Sequence, residues 1–325
     1  MSAFEHELEV ALSAVRQASQ VCAAIQAEIT PDTLAKEDKS PVTVADYSSQ
    51  ALICRALQHA FRGDSVIAEE DAAELRKPEQ AGFLNKILGH LADTGILATG
   101  DAVCGWIDLG GTNDFRPRYW TLDPIDGTKG FLRGEQYAVS LALIIRGEIV
   151  LGVLGCPNIA FDAETTGTLF YAVKGEGAFM EPLDGSKDRV QIQVSAATDR
   201  SSLRFCESVE SGHSKQDTAA IIAQKLGITA APVRMDSQAK YGVVARGEAH
   251  VYLRLPTRAD YREKIWDHAG GVLVVTEAGG TVTDVHGKPL EFTHGRELTA
   301  NRGVIATTGN IHAEVVAAYA AAVQA

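Results

Sequence analysis

The sequence predicts a layered protein of α-helices and β-strands, with an α+β N-terminal half and an α/β C-terminal half. Two β-rich runs at 138–145 and 148–154 are separated by Arg146-Gly147, which is a hairpin signal and indicates a largely antiparallel sheet. Further along the chain, β-rich runs alternate with helical stretches, which is typical of an α/β layer arrangement. We therefore expect alternating helix and sheet layers, divided into an N-terminal unit at 1–185 and a C-terminal unit at 186–325.

Long helices open the N-terminal half. Apolar side chains recur at helical spacing over residues 2–28, and two further helices are predicted over 44–59 and 72–92. Short runs rich in β-branched and aromatic residues separate and follow these helices. Strands are predicted at 65–68, 119–122, 138–145, 148–154, 168–173 and 178–181.

A polar stretch, D-G-S-K-D-R at 184–189, marks the predicted boundary between the two units. The elements beyond it alternate in type, so helices are expected to cover the sheet of the C-terminal unit. Strands are predicted at 202–207, 232–234, 249–253 and 304–307, and helices at 217–225, 238–245 and 267–277.

Charge and cysteine usage limit the classes of function. The 30 Lys and Arg residues against 42 Asp and Glu residues give a net charge of −12, which argues against a general nucleic-acid binder because such proteins need a basic face. The five cysteines form no C-x-x-C pair, so reduced, buried thiols are expected. The first residues are acidic and no apolar run is long enough to span a membrane. We expect a cytoplasmic monomer that acts on a small molecule.

The stretch W-T-L-D-P-I-D-G-T at 120–128 places Asp123 and Asp126 on either side of a stiff bend at Pro124. Two carboxylates this close repel, and both stay ionised only if a cation lies between them. Oxygen ligands suit Mg²⁺, which leaves positions open for water and substrate phosphate, and the Thr128 hydroxyl could orient a water. An isolated D-x-x-D is more simply explained by a turn with solvent-facing acids, so this motif needs support from elsewhere.

Three further acids lie where a predicted apolar element ends. Glu69 follows the predicted strand at 65–68, Asp46 lies near the start of a predicted helix, and Asp267 precedes another. Each has an ordinary alternative explanation as a solvated loop residue or as a favourable charge at a helix end. Their shared placement favours a common site.

The motifs come in a fixed order along the chain. They are S-P-V-T-V-A-D at 40–46, I-A-E-E at 67–70, W-T-L-D-P-I-D-G-T-K-G-F at 120–131 and I-W-D-H-A-G-G at 265–271. Together they resemble the inositol monophosphatase superfamily of lithium-sensitive, magnesium-dependent phosphatases. The extended run D-G-T-K-G-F-L-R-G-E-Q-Y is similar to the branch of that superfamily that removes the 3'-phosphate from adenosine 3',5'-bisphosphate in sulfur metabolism, the 3'(2'),5'-bisphosphate nucleotidases.

The resemblance implies a role for each matching residue. Two Mg²⁺ ions and a third, looser one are implied, together with inhibition by Li⁺. The implied ligands are Glu69, Asp123 and the carbonyl of Ile125 for the first ion, and Asp123, Asp126 and Asp267 for the second. Asp46 and Thr128 are implied to activate the attacking water, with the amides of Gly127 and Thr128 facing the scissile phosphate. The implied contacts to the nucleotide and its 5'-phosphate are His213, Ser237, Lys240 and Arg254. Ala68 stands where the family more often has Gly, and we expect this small residue to be tolerated.

Three alternatives to this assignment are a haloacid-dehalogenase-type phosphatase, an inositol phosphate phosphatase and a non-catalytic metal sensor. Haloacid-dehalogenase-type phosphatases use an Asp nucleophile in D-x-D-x-T, whereas the spacing here is D-x-x-D-G-T, so the two acids would be out of register. An inositol phosphate phosphatase would keep the same chemistry with another substrate. A magnesium or lithium sensor would keep the fold alone.

Overall fold

The computed structural model describes residues 3–29, 40–209, 216–258 and 260–323. The helices are α1 Glu5–Ala27, α2 Ser40–Ala60, α3 Ala81–Asp93, α4 Gly100–Asp108, α5 Thr128–Leu132, α6 Gln216–Lys225, α7 Ala239–Ala245, α8 Ala269–Glu277 and α9 His312–Val323. The strands are β1 Ser65–Ala68, β2 Arg118–Asp126, β3 Ala138–Ile145, β4 Glu148–Ala160, β5 Thr166–Val173, β6 Gly177–Pro182, β7 Val190–Ile192, β8 Phe205–Glu207, β9 Val233–Arg234, β10 Val251–Arg254, β11 Thr281–Thr283 and β12 Val304–Thr307.

The first sheet contains β1 to β7 in chain order. Only β1 and β2 run parallel, and every later neighbour pairs antiparallel. The predicted antiparallel sheet of the N-terminal half is therefore confirmed, with one parallel pair at its edge. That pair places the carboxyl ends of β1 and β2 side by side.

The second sheet has the order β11-β12-β10-β8-β9. Strand β8 runs parallel to both β10 and β9, whereas β12 is antiparallel to β10 and β11. The carboxyl ends of β8, β9 and β10 thus share one edge. Ligands of α/β proteins bind at such edges.

Helices and sheets alternate as layers. Helices α1 and α2 pack together and α1 covers one face of the first sheet, while α7 and α8 lie between the two sheets. Helices α6 and α9 cover the outer face of the second sheet. The layered fold predicted from the sequence is confirmed.

Several elements differ from the prediction. The helix predicted over 72–92 begins only at Ala81, because Lys77 is extended before Pro78 and a short 3₁₀ turn at Pro78–Gln80 intervenes. Helices α4, α5 and α9 and strands β7 and β11 were not predicted. The predicted boundary between residues 185 and 186 lies between β6 and β7, which pair in the first sheet, and it stays a prediction.

All five cysteines are free and buried, as their scatter along the sequence predicts. Burial raises the pKa of the Cys54, Cys156 and Cys206 thiols to about 12. Within the described ranges, no helix combines the length and the apolar character needed to cross a membrane.

Candidate active site

The parallel pairing of β1 and β2 brings the first two predicted ligands together. Ala68 is in register with Leu122, so Glu69 and Asp123 both follow immediately at the same edge of the sheet. Parallel strands end side by side, which makes two residues distant in sequence into neighbours. The charge of Glu69 accordingly raises the pKa of Asp123.

A β-bulge in β2 places Asp123 and Asp126, which are three residues apart, on the same face of the strand. In a regular strand such residues point to opposite faces. Here Asp123 is in register with Ser140 and Asp126 with Ala138, with a register shift between the two pairs. Ser140 and Ala138 are two residues apart and share a face, so Asp123 and Asp126 share that face too. The carboxylates converge within strand β2 and not, as the sequence suggested, on a turn beyond it.

The backbone around the bulge is held from two sides. Ser49 of α2 donates its hydroxyl hydrogen to the carbonyl oxygen of Pro124 at 2.9 Å. Gly127 follows with φ +92°, and a Cβ there would lie 2.9 Å from the Cβ of Ser237. Both facts require glycine at this position, because an L side chain would be strained and would also meet Ser237. Asp126-Gly127-Thr128 thus turns tightly into α5.

The second sheet delivers its residues to the same place. Ser208 follows β8, Asp236 and Ser237 follow β9, Arg254 ends β10, and Asp267 precedes α8. All but Asp267 lie at the shared carboxyl edge of the parallel strands. The site is therefore assembled from the facing edges of two sheets.

Gln238 links the site residues of the first sheet to those of the C-terminal half. Its backbone amide donates to Asp126 Oδ2 at 2.6 Å, and its side-chain Nε2 donates to the carbonyl of Trp266 at 2.8 Å. Its Oε1 accepts from the Ser140 hydroxyl at 3.1 Å. One buried residue therefore ties strands β2 and β3 to the segment that carries Asp267, through its backbone amide and its side chain.

These residues surround a cavity of about 260 Å³. Its lining is Glu69, Asp123, Ile125, Asp126, Gly127, Thr128, Lys129, Ser208, Asp236, Ser237, Lys240, Tyr252, Arg254, Asp267 and His268. A larger cavity of about 580 Å³ lies at the amino end of β1, but no predicted site residue lines it. The smaller cavity is therefore the candidate active site, because the predicted site residues line it.

The acids of the cavity lie close enough together to repel each other. Burial, followed by the charges of Glu69, Asp126 and Asp267, raises the pKa of Asp123 well above its usual range. The pKa of Glu69 rises to about 7, through burial first and then the charges of Glu70 and Asp126. Burial and the charge of Asp126 raise the pKa of Asp267 to about 7 as well. Without a counter-cation the cluster takes up protons near neutral pH.

Lys240 and Arg254 also line the cavity. Lys240 is 2% exposed, and its Nζ lies 5.2 Å from the centre of the Tyr252 ring and donates to the carbonyl of Met235 at 3.3 Å. Burial lowers its pKa, although the charge of Asp126 opposes this. Together with Arg254, Lys240 lowers the pKa of Asp126, which burial otherwise raises. We call the part of the lining that holds Glu69 and Asp123 the acidic end and the part that holds Lys240 and Arg254 the basic end; the charge of Arg254 acts on both Asp126 and Asp267.

The chain resembles known proteins along nearly its whole length. Residues 5–324 match the model of the inositol monophosphatase family. The chain belongs to that family. A relative from Schizosaccharomyces pombe named 3'(2'),5'-bisphosphate nucleotidase is 43% identical, with 98% of this chain and 96% of the relative covered. A rice relative (Oryza sativa) of the same name is 45% identical over 93% of this chain and 90% of the relative.

Solved structures of the inositol monophosphatase family share the fold. The IMPase of Thermotoga maritima superposes with a TM-score of 0.64 at 20% identity, with 98% of each chain covered. CysQ from Bacteroides thetaiotaomicron, described as a bacterial member of the family, gives 0.62 at 22% identity over 94% of this chain and 98% of that one. At these identities the likeness concerns the fold alone.

The oxygen atoms that line the cavity fit a hard cation such as Mg²⁺. Asp123 Oδ1 is buried and has no hydrogen-bond partner among the described residues. A buried carboxylate oxygen in this state is costly unless a cation or a ligand meets it. Neighbouring carboxylate oxygens and a backbone carbonyl at Ile125 are the ligand types that Mg²⁺ takes in proteins. The site of this family member therefore suits such an ion.

Most of the predicted site residues line the cavity. All the predicted acids except Asp46 line the cavity, as do Ile125, Gly127, Thr128, Ser237, Lys240 and Arg254. Asp46 is buried in α2 behind them, and no hydrogen bond joins it to Thr128 in the described part of the chain; its role stays a prediction. His213 lies outside the described residues.

Sequence reasoning missed five residues that line the cavity: Lys129, Ser208, Asp236, Tyr252 and His268. A signal existed for some of them. Asp236 directly precedes Ser237, His268 directly follows Asp267, and Ser208 comes at the end of a predicted strand. The direct neighbours of a predicted site residue in a tight turn are therefore candidates for the lining of the same cavity.

Arg296 connects the acidic end to the C-terminal half. Its guanidinium donates to the carbonyl oxygens of Ala68 and Gly110 and lies 4.7 Å from the centre of the Trp266 ring. Its charge also opposes the rise in the pKa of Glu69. One side chain thus contacts the residues that directly precede both Glu69 and Asp267.

The raised carboxyl pKa values predict how the metal-free protein responds to pH. The folded state holds protons that the unfolded chain releases, so the free energy of unfolding falls as pH rises from the usual carboxyl range through about 7. In a chelator, we expect the melting temperature at about pH 8 to lie at least about 5 °C below that at about pH 5. With Mg²⁺ present the difference should shrink, because the ion replaces the protons. Thermal melts at both pH values check this, and an identical pH dependence with and without Mg²⁺ would contradict it.

Proposed function

We propose that the protein is a Mg²⁺-dependent 3'(2'),5'-bisphosphate nucleotidase that hydrolyses the 3'-phosphate of adenosine 3',5'-bisphosphate to give AMP. The sulfated nucleotide 3'-phosphoadenosine 5'-phosphosulfate is a second candidate substrate, since it carries the same 3'-phosphate. Relatives at 43% and 45% identity carry the name of this activity.

The observation that carries the proposal is that one cavity is lined both by a cluster of carboxylates and by the cations Lys240 and Arg254. Glu69 and Asp123 belong to the acidic end, Lys240 and Arg254 form the basic end, and Asp126 and Asp267 interact with the charge of Arg254. An acidic cluster that holds cations suits the phosphate that is cleaved, and a pair of cations suits a second anionic group that is not cleaved. A substrate with two phosphates uses both ends, whereas a monophosphate uses only one.

The basic end supplies binding and selectivity. Hydrogen bonds to charged groups contribute about 1.5–3 kcal/mol each. Because 1.4 kcal/mol corresponds to a factor of ten in affinity, one such contact favours a bisphosphate over a monophosphate by about tenfold. Lys240 is held by Met235 and by the Tyr252 ring, so little side-chain entropy is lost when an anion arrives.

At the acidic end, Glu69, Asp123, Asp126 and Asp267, with the carbonyl of Ile125, would hold the metal ions. When bound, Mg²⁺ supplies charge neutralisation on the phosphate oxygens and a water of lowered pKa. The residues themselves orient the reaction. The tight turn at Gly127 presents the 127–128 amides to the phosphate, and Thr128 with Asp46 accepts the proton of the attacking water.

A substrate panel tests the proposal. The purified protein is assayed for phosphate release from adenosine 3',5'-bisphosphate, adenosine 3'-monophosphate and inositol 1-phosphate with Mg²⁺, and again after Li⁺ is added. We expect the bisphosphate to give a kcat/KM at least about tenfold above either monophosphate. We also expect Li⁺ to inhibit, because a small cation can displace one Mg²⁺ from the clustered carboxylates.

Each outcome of the panel is informative. Equal or inverted preference for inositol 1-phosphate would favour an inositol phosphate phosphatase over a nucleotidase. Absence of turnover on all three substrates would favour a metal-sensing homologue. Turnover that Li⁺ leaves untouched at tens of millimolar would argue against the ligand arrangement described above.

A further inference from the structure

Behind the basic end of the cavity lies a chain of buried hydrogen bonds. Tyr241 Oη lies 2.7 Å from His268 Nδ1, and His268 Nε2 lies 3.2 Å from Glu263 Oε2. The same carboxylate oxygen accepts from Arg254 Nε at 3.3 Å. Tyr241, Glu263 and His268 are all nearly inaccessible to solvent, and only Arg254 and His268 reach the cavity lining. Glu263 therefore acts on the cavity through Arg254.

The directions of these bonds follow from the donors present. A carboxylate only accepts, so His268 Nε2 carries a hydrogen and donates it to Glu263. In the neutral ring Nδ1 then accepts from the Tyr241 hydroxyl. Gly271 makes room for this arrangement, because a Cβ there would lie 2.2 Å from the Tyr241 ring.

Glu263, Asp267 and His268 also place possible ligand atoms within 4.8 Å of one another, which could suggest another metal site. The hydrogen bonds argue against that reading. Both ring nitrogens of His268 are engaged, one as a donor and one as an acceptor, and Glu263 already receives two donors. The cluster is therefore an ion-pair network centred on Glu263.

Other carboxylates of the cavity compete with Glu263 for the Arg254 guanidinium. Asp126 and Asp267 line the same cavity as Arg254, and opposite charges at this range attract the guanidinium. If the guanidinium moved onto them, it would neutralise residues predicted to hold the metal ions and would leave the basic end with Lys240 alone. A buried, fully ionised Glu263 on the far side of the guanidinium offsets that attraction.

We propose that Glu263 is a positioning residue that holds Arg254 at the basic end of the cavity, where the guanidinium binds the anionic group of the substrate that is not cleaved. Tyr241 and His268 fix the carboxylate of Glu263 in turn. This inference rests on the proposed function, because it assigns the substrate selectivity of that same site. It predicts that removing the charge of Glu263 affects selectivity for the second phosphate more than it affects the hydrolysis itself.

Glu263→Gln tests the inference, since it keeps the shape and removes the charge. We expect the ratio of kcat/KM for adenosine 3',5'-bisphosphate to that for adenosine 3'-monophosphate to fall about tenfold, mainly through KM for the bisphosphate. Tyr241→Phe, which keeps the ring and removes the first hydrogen bond, should lower the ratio in the same direction by about threefold. The matched control is Glu181→Gln, which breaks a partly buried pair with Arg16 outside the cavity and should leave the ratio unchanged.

A double-mutant cycle separates positioning from general damage. In an Arg254→Met background, adding Glu263→Gln should change the ratio by no more than about twofold, because the residue on which Glu263 acts is gone. An equal drop with and without Arg254 would overturn the inference. So would a Glu263→Gln protein that needs more Mg²⁺ but keeps the wild-type ratio, because Glu263 would then act on the metal end.

Binding of AMP gives a readout independent of turnover, since AMP carries only the phosphate assigned to the basic end. We expect calorimetry to show about tenfold weaker AMP binding to Glu263→Gln than to the wild-type protein. If the wild-type protein shows no preference for the bisphosphate, the proposed function fails, yet weaker AMP binding to the variant still supports the positioning role. Unchanged AMP binding would overturn the positioning role even if the nucleotidase activity is found.

Discussion

Replacing Asp123 with asparagine is expected to lower kcat by about a thousandfold or more, because the predicted bridging carboxylate supports several kcal/mol of charge stabilisation at 1.36 kcal/mol per tenfold. The fold should tolerate the change. Asp123 is 2% exposed, and burial and its acidic neighbours raise its pKa well above the usual range, so a neutral side chain of the same shape relieves repulsion in the metal-free protein. In a chelator above neutral pH, the variant should melt at a higher temperature than the wild-type protein.

Thr121→Val is the matched control for this change. Thr121 is equally buried, lies two residues earlier on β2, and its hydroxyl has no hydrogen-bond partner among the described residues. We expect its kcat to stay within about twofold of wild type, because Thr121 does not line the cavity. Steady-state kinetics with saturating Mg²⁺ and thermal melts of both variants check the pair. An Asp123→Asn protein that is folded and fully active would refute the metal-ligand assignment.

The second large effect is expected at Asp267. Asp267→Asn should lower kcat by about a hundredfold, and it should raise the Mg²⁺ concentration for half-maximal activity by about tenfold. Because Asp267 is predicted to hold only one of the two ions, whereas Asp123 is predicted to hold both, the loss should be smaller than for Asp123→Asn. A titration of activity with Mg²⁺ measures the shift directly.

Asp217→Asn controls for the loss of an acid near the start of a helix in the same half of the chain. Asp217 is exposed in the first turn of α6, away from the cavity lining. Its removal should leave both kcat and the Mg²⁺ requirement unchanged. If Asp267→Asn lowered activity without changing the Mg²⁺ requirement, Asp267 would have to act on the substrate instead of on the metal.

Much of the fold could be predicted from local patterns. The hairpin signal at Arg146-Gly147 and the alternation in the C-terminal half correctly indicated an antiparallel sheet followed by α/β layers. Three of the five missed elements, β7, β11 and α5, have local causes. Strands β7 and β11 are three residues each, too short for a periodicity to be read, and the five-residue helix α5 begins within the motif that was read as a turn.

The candidate site was likewise only partly predictable from the sequence. The acids could be predicted because their residue types and the order of the motifs carry the information. The network around Glu263 could not, because Tyr241 of α7 and Arg254 of β10 meet Glu263 and His268 only when the segment between β10 and α8 packs against them. The bulge in β2 was also out of reach, since D-P-I-D is compatible with a turn, and only the pairing with Ser140 and Ala138 fixes the register.

The contacts of Arg296 have a consequence for a chain still being made on the ribosome. Synthesis delivers Glu69 and Asp123 early, but the guanidinium that binds the carbonyls before Glu69, and the Trp266 ring beneath it, emerge only near the end of the chain. Until then the nascent polypeptide carries Glu69 and Asp123 without Lys264 and Arg296, whose charges oppose the rise in the pKa of Glu69, and without Asp267. Nascent domains generally fold from the amino end. A chain that ends before Arg296 lacks these contacts, and one that ends before Asp267 also lacks a predicted metal ligand.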